Sequence, residues 1–141
     1  MESLSVADIP EHALLLVDSA PIIYHLEDRR VLADRFAPLF EAHSLGRVRF
    51  AITTVTITEV LTGPLQAGAE ALARRYRGIL ESWQVVDLDV DIAETAARLR
   101  AAHHLKLADA VQAASALATN AFALVTHDRD FSEVSSLRVI T

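Results

Sequence analysis

The chain has 141 residues, 52% of them hydrophobic and 23% charged, with no cysteine and a formal net charge of −6. That composition suits one globular domain over residues 1–141 and excludes a disordered chain, a disulfide framework and a thiolate zinc site. The acidic balance argues against tight non-specific nucleic-acid binding by the whole surface. The run Leu14-Leu15-Leu16-Val17 is far short of the about 20 apolar residues a membrane span needs, and the acidic first residues do not resemble a signal peptide, so a soluble cytoplasmic protein is expected.

In chain order, Ala13–Val17 reads as a buried strand, and Pro21 suits the first turn of a helix reaching His25 or Leu26. A helix over 31–42 would gather Val31, Leu32, Phe36, Leu39 and Phe40 on one face. Val48–Thr53 is a strand rich in β-branched residues, followed by a short helix over 56–61 that Gly63-Pro64 is expected to stop. Residues 67–83 read as a helix with Leu72, Tyr76, Ile79 and Leu80 apolar. A strand over 84–88 follows, and Asp89 or Asp91 caps a helix running to about His103. Residues 107–119 form an alanine-rich helix, 121–126 a strand and 137–140 a last short strand. This alternation predicts a three-layer α/β/α fold with a central, mainly parallel sheet. Right-handed crossovers would bring the strand ends to one side.

Five carboxylates stand just past the apolar stretches: Asp18, Glu59, Asp109, Asp128 and Asp130. Ligands of open α/β sheets bind along the carboxyl edge of the strands, and carboxylates gathered there repel one another unless a cation lies between them. Each acid also has a local explanation. Asp18 or Ser19 can cap the first helix. Thr56-Ile57-Thr58-Glu59 fits a capping box. Asp109 complements a helix N-terminus for about 0.3–1 kcal/mol, and Thr126-His127-Asp128-Arg129-Asp130 can be a surface turn. Their recurrence at strand ends is what points to a metal site, and a donor set of oxygens alone points to Mg²⁺ or Mn²⁺. Without further information a phosphoacceptor domain also merits consideration. A response receiver would want an adjacent acid pair and a late lysine, and a haloacid-type phosphatase a second Asp where Ala20 stands, so both fit poorly.

The segments Leu16-Val17-Asp18-Ser19-Ala20-Pro21-Ile22-Ile23-Tyr24, Thr53-Thr54-Val55-Thr56-Ile57-Thr58-Glu59-Val60-Leu61-Thr62-Gly63, Leu105-Lys106-Leu107-Ala108-Asp109-Ala110 and Leu124-Val125-Thr126-His127-Asp128-Arg129-Asp130-Phe131 resemble, in order, those of the PIN domain family, most closely its VapC toxin branch. The resemblance implies a metal-dependent endoribonuclease in which Asp18, Glu59, Asp109 and Asp128 are catalytic. Asp130 joins these four as a metal ligand, and Asp128 is favoured over Asp130 as the inner acid. It implies Mg²⁺ (or Mn²⁺) as cofactor, RNA as substrate, a cognate antitoxin as partner and a homodimer. Ser19, Thr126 and Arg129 are candidates to contact a ligand carboxylate or a phosphate. Two departures stand out: Ala20 replaces an asparagine common in relatives, and His127 occupies a position often filled by another polar or basic residue. The competing reading is a non-catalytic PIN-like interaction protein whose acids bind a partner without turnover.

Overall fold

A computed structural model describes residues 5–128, 131 and 134–141. A single 3₁₀ turn, Val6–Asp8, capped by the Ser5 hydroxyl, precedes strand β1, Ala13–Val17. Helices α1, Ser19–Leu26, and α2, Arg30–Ser44, lead to β2, Val48–Thr53. Helices α3, Thr54–Gln66, and α4, Glu70–Glu81, lead to β3, Gln84–Val86. Then come α5, Val90–His103, α6, Leu107–Ala118, β4, Ala123–Val125, and β5, Val139–Ile140.

The sheet has the order β3-β2-β1-β4-β5 and every pairing is parallel. The chain moves outward from β1 through β2 to the β3 edge, then returns past β1 to place β4 and β5 on its other side. Strand order therefore reverses beside β1, and Asp18 stands at that switch point, where α/β sheets open a crevice. The period-2 alternation of strand side chains divides the core. Leu15, Val17, Ala123 and Val125 face α1 to α4, against Ile22, Phe36, Leu39, Phe40, Val60, Tyr76 and Leu80. Leu14, Leu16 and Leu124 face α5 and α6, against Ile92, Ala96, Ala110, Val111, Ala113 and Ala114. The alanines of α6 let it lie close to both α5 and the sheet.

Several local expectations change. Helix α3 does not stop at Gly63-Pro64: Pro64 is buried inside its last turn. A proline there forfeits the bond to the Val60 carbonyl and its ring crowds that carbonyl, a cost offset here by burial of the ring. The break instead falls at Gly68, whose φ of +71° suits glycine, so α4 starts at Glu70 and not at residue 67. Val31 and Leu72, expected on apolar faces, are 87% and 38% exposed, because the stripes of α2 and α4 centre on Phe36-Leu39-Phe40 and on Ala73-Tyr76-Leu80. Asp89, not Asp91, caps α5, accepting from the Ile92 N–H at 2.8 Å.

One face of the core carries stacked imidazoles. His43 lies on Phe50 with centroids 4.1 Å apart, and Trp83 meets both rings edge-on. Burial holds the His43 imidazole below its ordinary 6.5. The folded state therefore prefers the neutral ring, and stability should fall as pH drops from 6.5 toward the lowered folded value. A His43→Phe substitution keeps the stack and should flatten that acid limb of the melting curve. An unchanged acid limb would assign the loss to other groups.

Candidate metal centre

Asp18 follows directly on β1 and is 9% exposed. Its backbone N–H donates to the Val125 carbonyl at 2.8 Å, which continues the β1–β4 ladder one residue beyond the strand. The side chain receives three hydrogen bonds. Oδ1 accepts from the Ser19 N–H at 2.9 Å and from Gln112 Nε2 at 2.9 Å, and Oδ2 accepts from Thr126 Oγ1 at 2.9 Å. Asp18, and not Ser19, is thus the N-cap of α1. The cap uses only one oxygen of the carboxylate.

Glu59 changes most between sequence and structure. The capping box expected at Thr56 does not form: Thr53 is the N-cap of α3 and its hydroxyl accepts from the Thr56 N–H at 3.1 Å. Thr56 is therefore at the third helical position, and Glu59 is a turn further on, too deep in the helix to cap it. Its carboxyl is instead drawn into the site. Partial burial and then the charge of Asp18 push it above its ordinary 4.5, and a hydrogen bond with the Ser19 side chain acts the other way. Because Glu59 is exposed overall, the like charge of Asp18 is the cause that bears on function. A carboxyl whose folded pKa is raised costs stability at neutral pH, and the cost is relieved as pH falls through that raised value. In metal-free protein at neutral pH, Glu59→Gln should therefore raise the melting temperature slightly while weakening Mn²⁺ binding. A lower melting temperature would show that Glu59 is not held against a like charge.

Thr126 follows β4 and is fully buried. Besides donating to Asp18, its hydroxyl accepts from the Asp128 N–H at 3.0 Å, so one side chain ties the first acid to the segment carrying the fourth. His127, half-buried between them, meets the Tyr24 hydroxyl through Nδ1 at 2.8 Å. Asp109 is in the first turn of α6, whose N-cap, Lys106, offers no side-chain cap. Both Asp109 and Asp128 are half-buried. Arg129 and Asp130 lie outside the described residues.

Gln112 was not singled out by its sequence context. It sits among small apolar neighbours on α6, one turn after Asp109, and is fully buried. Its Oε1 accepts from Thr53 Oγ1 at 2.7 Å, and its Nε2 donates to Thr56 Oγ1 at 2.7 Å as well as to Asp18. The only signal available in the sequence was a polar residue at a core position of an alanine-rich helix.

Among the described residues, no three of Asp, Glu and His form a group that could hold an ion by themselves. The donors that do meet still fit a hard cation. They are oxygens, and Asp18 and Glu59 carry like charges that burden each other. Mg²⁺ keeps several waters and binds through one or two carboxylates plus substrate phosphate, so a preformed cage of three ligands is not required.

A parallel sheet with a buried, triply hydrogen-bonded aspartate at its switch point, whose charge helps raise the pKa of a second carboxyl, Glu59, defines an α/β protein with an acidic site at the carboxyl edge. The family model of the PIN domain matches residues 15–137, and the chain belongs to that family. Its fold is VapC-like. A toxin–antitoxin complex from Klebsiella pneumoniae contains a chain of 26% identity, with a TM-score of 0.71 over 90% of this chain and 96% of that one. VapBC2 from Rickettsia felis, bound to a DNA fragment from its promoter, matches at 16% identity and a TM-score of 0.69, over 89% and 96%. DNA-bound VapBC from Salmonella typhimurium matches at 19% and 0.67, over 90% and 96%. No curated protein matches the sequence.

Proposed function

We propose that residues 1–141 form a single catalytic domain, a divalent-metal-dependent endoribonuclease acting in the cytoplasm as the toxin of a toxin–antitoxin pair. The observation that carries this reading is Asp18, buried and held in place by Ser19, Gln112 and Thr126 at the switch point of a PIN fold.

Asp18 and Glu59 would hold Mg²⁺ (or Mn²⁺), with Asp109 and Asp128 completing the acidic site and Asp130 supporting it. Such an ion, when bound, polarises the phosphodiester and lowers the pKa of an attacking water. The residues of the chain do the positioning. Thr126 fixes the rotation of the Asp18 carboxylate and Ser19 engages Glu59; Arg129, next to Asp128 in sequence, is the proposed contact for a phosphate oxygen. Cleavage of structured RNAs with Mg²⁺ should be lost in Asp109→Asn and on chelation. If wild type and Asp109→Asn show the same trace activity, the chain is instead a non-catalytic PIN-like interaction protein.

The partner reading draws on the toxin–antitoxin complexes among the similar structures. A cognate antitoxin, and a second copy of the chain in a homodimer, are the proposed partners. Copurification from the native operon tests the first: recovery of the chain always alone would rule out a stable antitoxin complex.

A further inference from the structure

We propose that Gln112 is a positioning residue that presents one oxygen of Asp18, Oδ2, to a divalent cation. The inference rests on the metal reading of the site and assigns a task to a residue outside the acidic set.

An amide buried in an alanine-rich helix is costly unless its polar atoms are paired, and here they are: one bond through Oε1 and two through Nε2. Its orientation follows from chemistry. An ionised carboxylate only accepts, so the nitrogen must face Asp18. The oxygen then faces Thr53, whose hydroxyl donates to it. With that orientation the lone pairs of Asp18 can be assigned. A carboxylate offers about four acceptor sites, two per oxygen. On Oδ1 both are taken, by the Ser19 N–H and by Gln112. On Oδ2 one is taken by Thr126. Among the described residues nothing else bonds Oδ2, and its remaining site is left for a cation.

Gln112 also joins the three elements that carry the first three acids. It bonds Asp18 at the end of β1 and Thr53 and Thr56 at the start of α3, one turn before Glu59, and it lies one turn after Asp109 on α6. A carboxylate restricted to one oxygen suits an octahedral ion such as Mg²⁺ or Mn²⁺. Ca²⁺ takes more ligands and often both oxygens of a carboxylate. Gln112 thereby sets which ion the site prefers.

Titration calorimetry of the full chain with Mn²⁺ and with Ca²⁺, without RNA, tests this on wild type, Gln112→Met and Val111→Ala. Gln112→Met keeps the volume and removes the donor, and should weaken Mn²⁺ binding roughly 10–100-fold. Ca²⁺ binding should weaken less, narrowing the discrimination. Val111→Ala opens a cavity in the same buried stretch of α6 and should lower the melting temperature while leaving Mn²⁺ binding intact. Mn²⁺ binding by Gln112→Met equal to wild type, or an equal loss in Val111→Ala, would overturn the assignment. Failure of wild type to bind Mn²⁺ would instead refute the metal centre itself, and this inference with it. If Gln112→Met does not fold, wild type still decides. The side-chain amide protons of Gln112 should shift during an Mg²⁺ titration followed by NMR, and resonances that stay fixed at saturation would overturn the proposal.

Discussion

Asp18→Asn is expected to lower RNA cleavage by more than about 100-fold, because substitutions of mere outer partners of a metal site already cost 10–100-fold in affinity or activity. The fold should survive. Asparagine has nearly the same shape, its carbonyl can still accept from the Ser19 N–H and from Gln112, and its amide can donate to Thr126 Oγ1. That leaves the buried Thr126 proton without its Asp18 acceptor at a cost of about 1–3 kcal/mol, partly offset by relief of the charge on Glu59. What disappears is the negative charge at the switch point, and with it one cause of the raised Glu59 pKa. A cooperative melting transition well above the assay temperature together with lost cleavage would separate chemistry from folding. Wild-type cleavage by folded Asp18→Asn would remove Asp18 from the site.

The largest effect on stability is expected for Phe131→Ala, at about 3–5 kcal/mol, the usual cost of emptying a buried aromatic position. That is a large part of the about 5–15 kcal/mol that holds a typical domain together. Phe131 is fully buried in the core layer beneath α5 and α6. It follows the segment bearing Asp128 and Asp130, and its carbonyl accepts from the Val134 N–H at 3.0 Å. Burying this ring anchors the chain just past the fourth acid, so its loss should reduce activity as well. Phe131→Leu refills most of the volume and should recover most of both. Denaturant unfolding of the two variants checks the expectation, and a Phe131→Ala protein as stable as wild type would show that the ring does not anchor the segment.

Much of this arrangement was readable in one dimension. The apolar run Ala13–Val17 ends where β1 ends, because a strand buried on both faces is hydrophobic without alternation. The acid that follows it was visible for the same reason. The run Ala-Leu-Val before Thr126 marked β4 in the same way, though the predicted strand extended beyond the ladder at both ends. Helix starts and stops were less legible. Gly63-Pro64 looks like a terminator in isolation, yet Pro64 is buried within α3 and the chain turns only at Gly68. Thr56 and Glu59 have the spacing of a capping box, but Thr53 lies closer to the end of β2 and takes the cap. Such contests are settled by where the preceding strand ends, which depends on its partners across the sheet.

The sequence by itself determined the α/β class, the order of the strands along the chain, and the candidate acids beyond their ends, because these depend on local periodicity and on charge placed next to apolar runs. Tertiary structure decided which of those residues meet. Asp18 and Thr126 are far apart in the chain and become hydrogen-bonded neighbours only because β1 pairs with β4. Gln112 acquires its role only because α6 lies against the ends of β1 and β2, where Asp18 and Thr53 can reach its amide. Contacts of that kind leave only a faint signature along the chain: a lone glutamine at a core position of an alanine-rich helix marks a buried polar group, but not which carboxylate it meets.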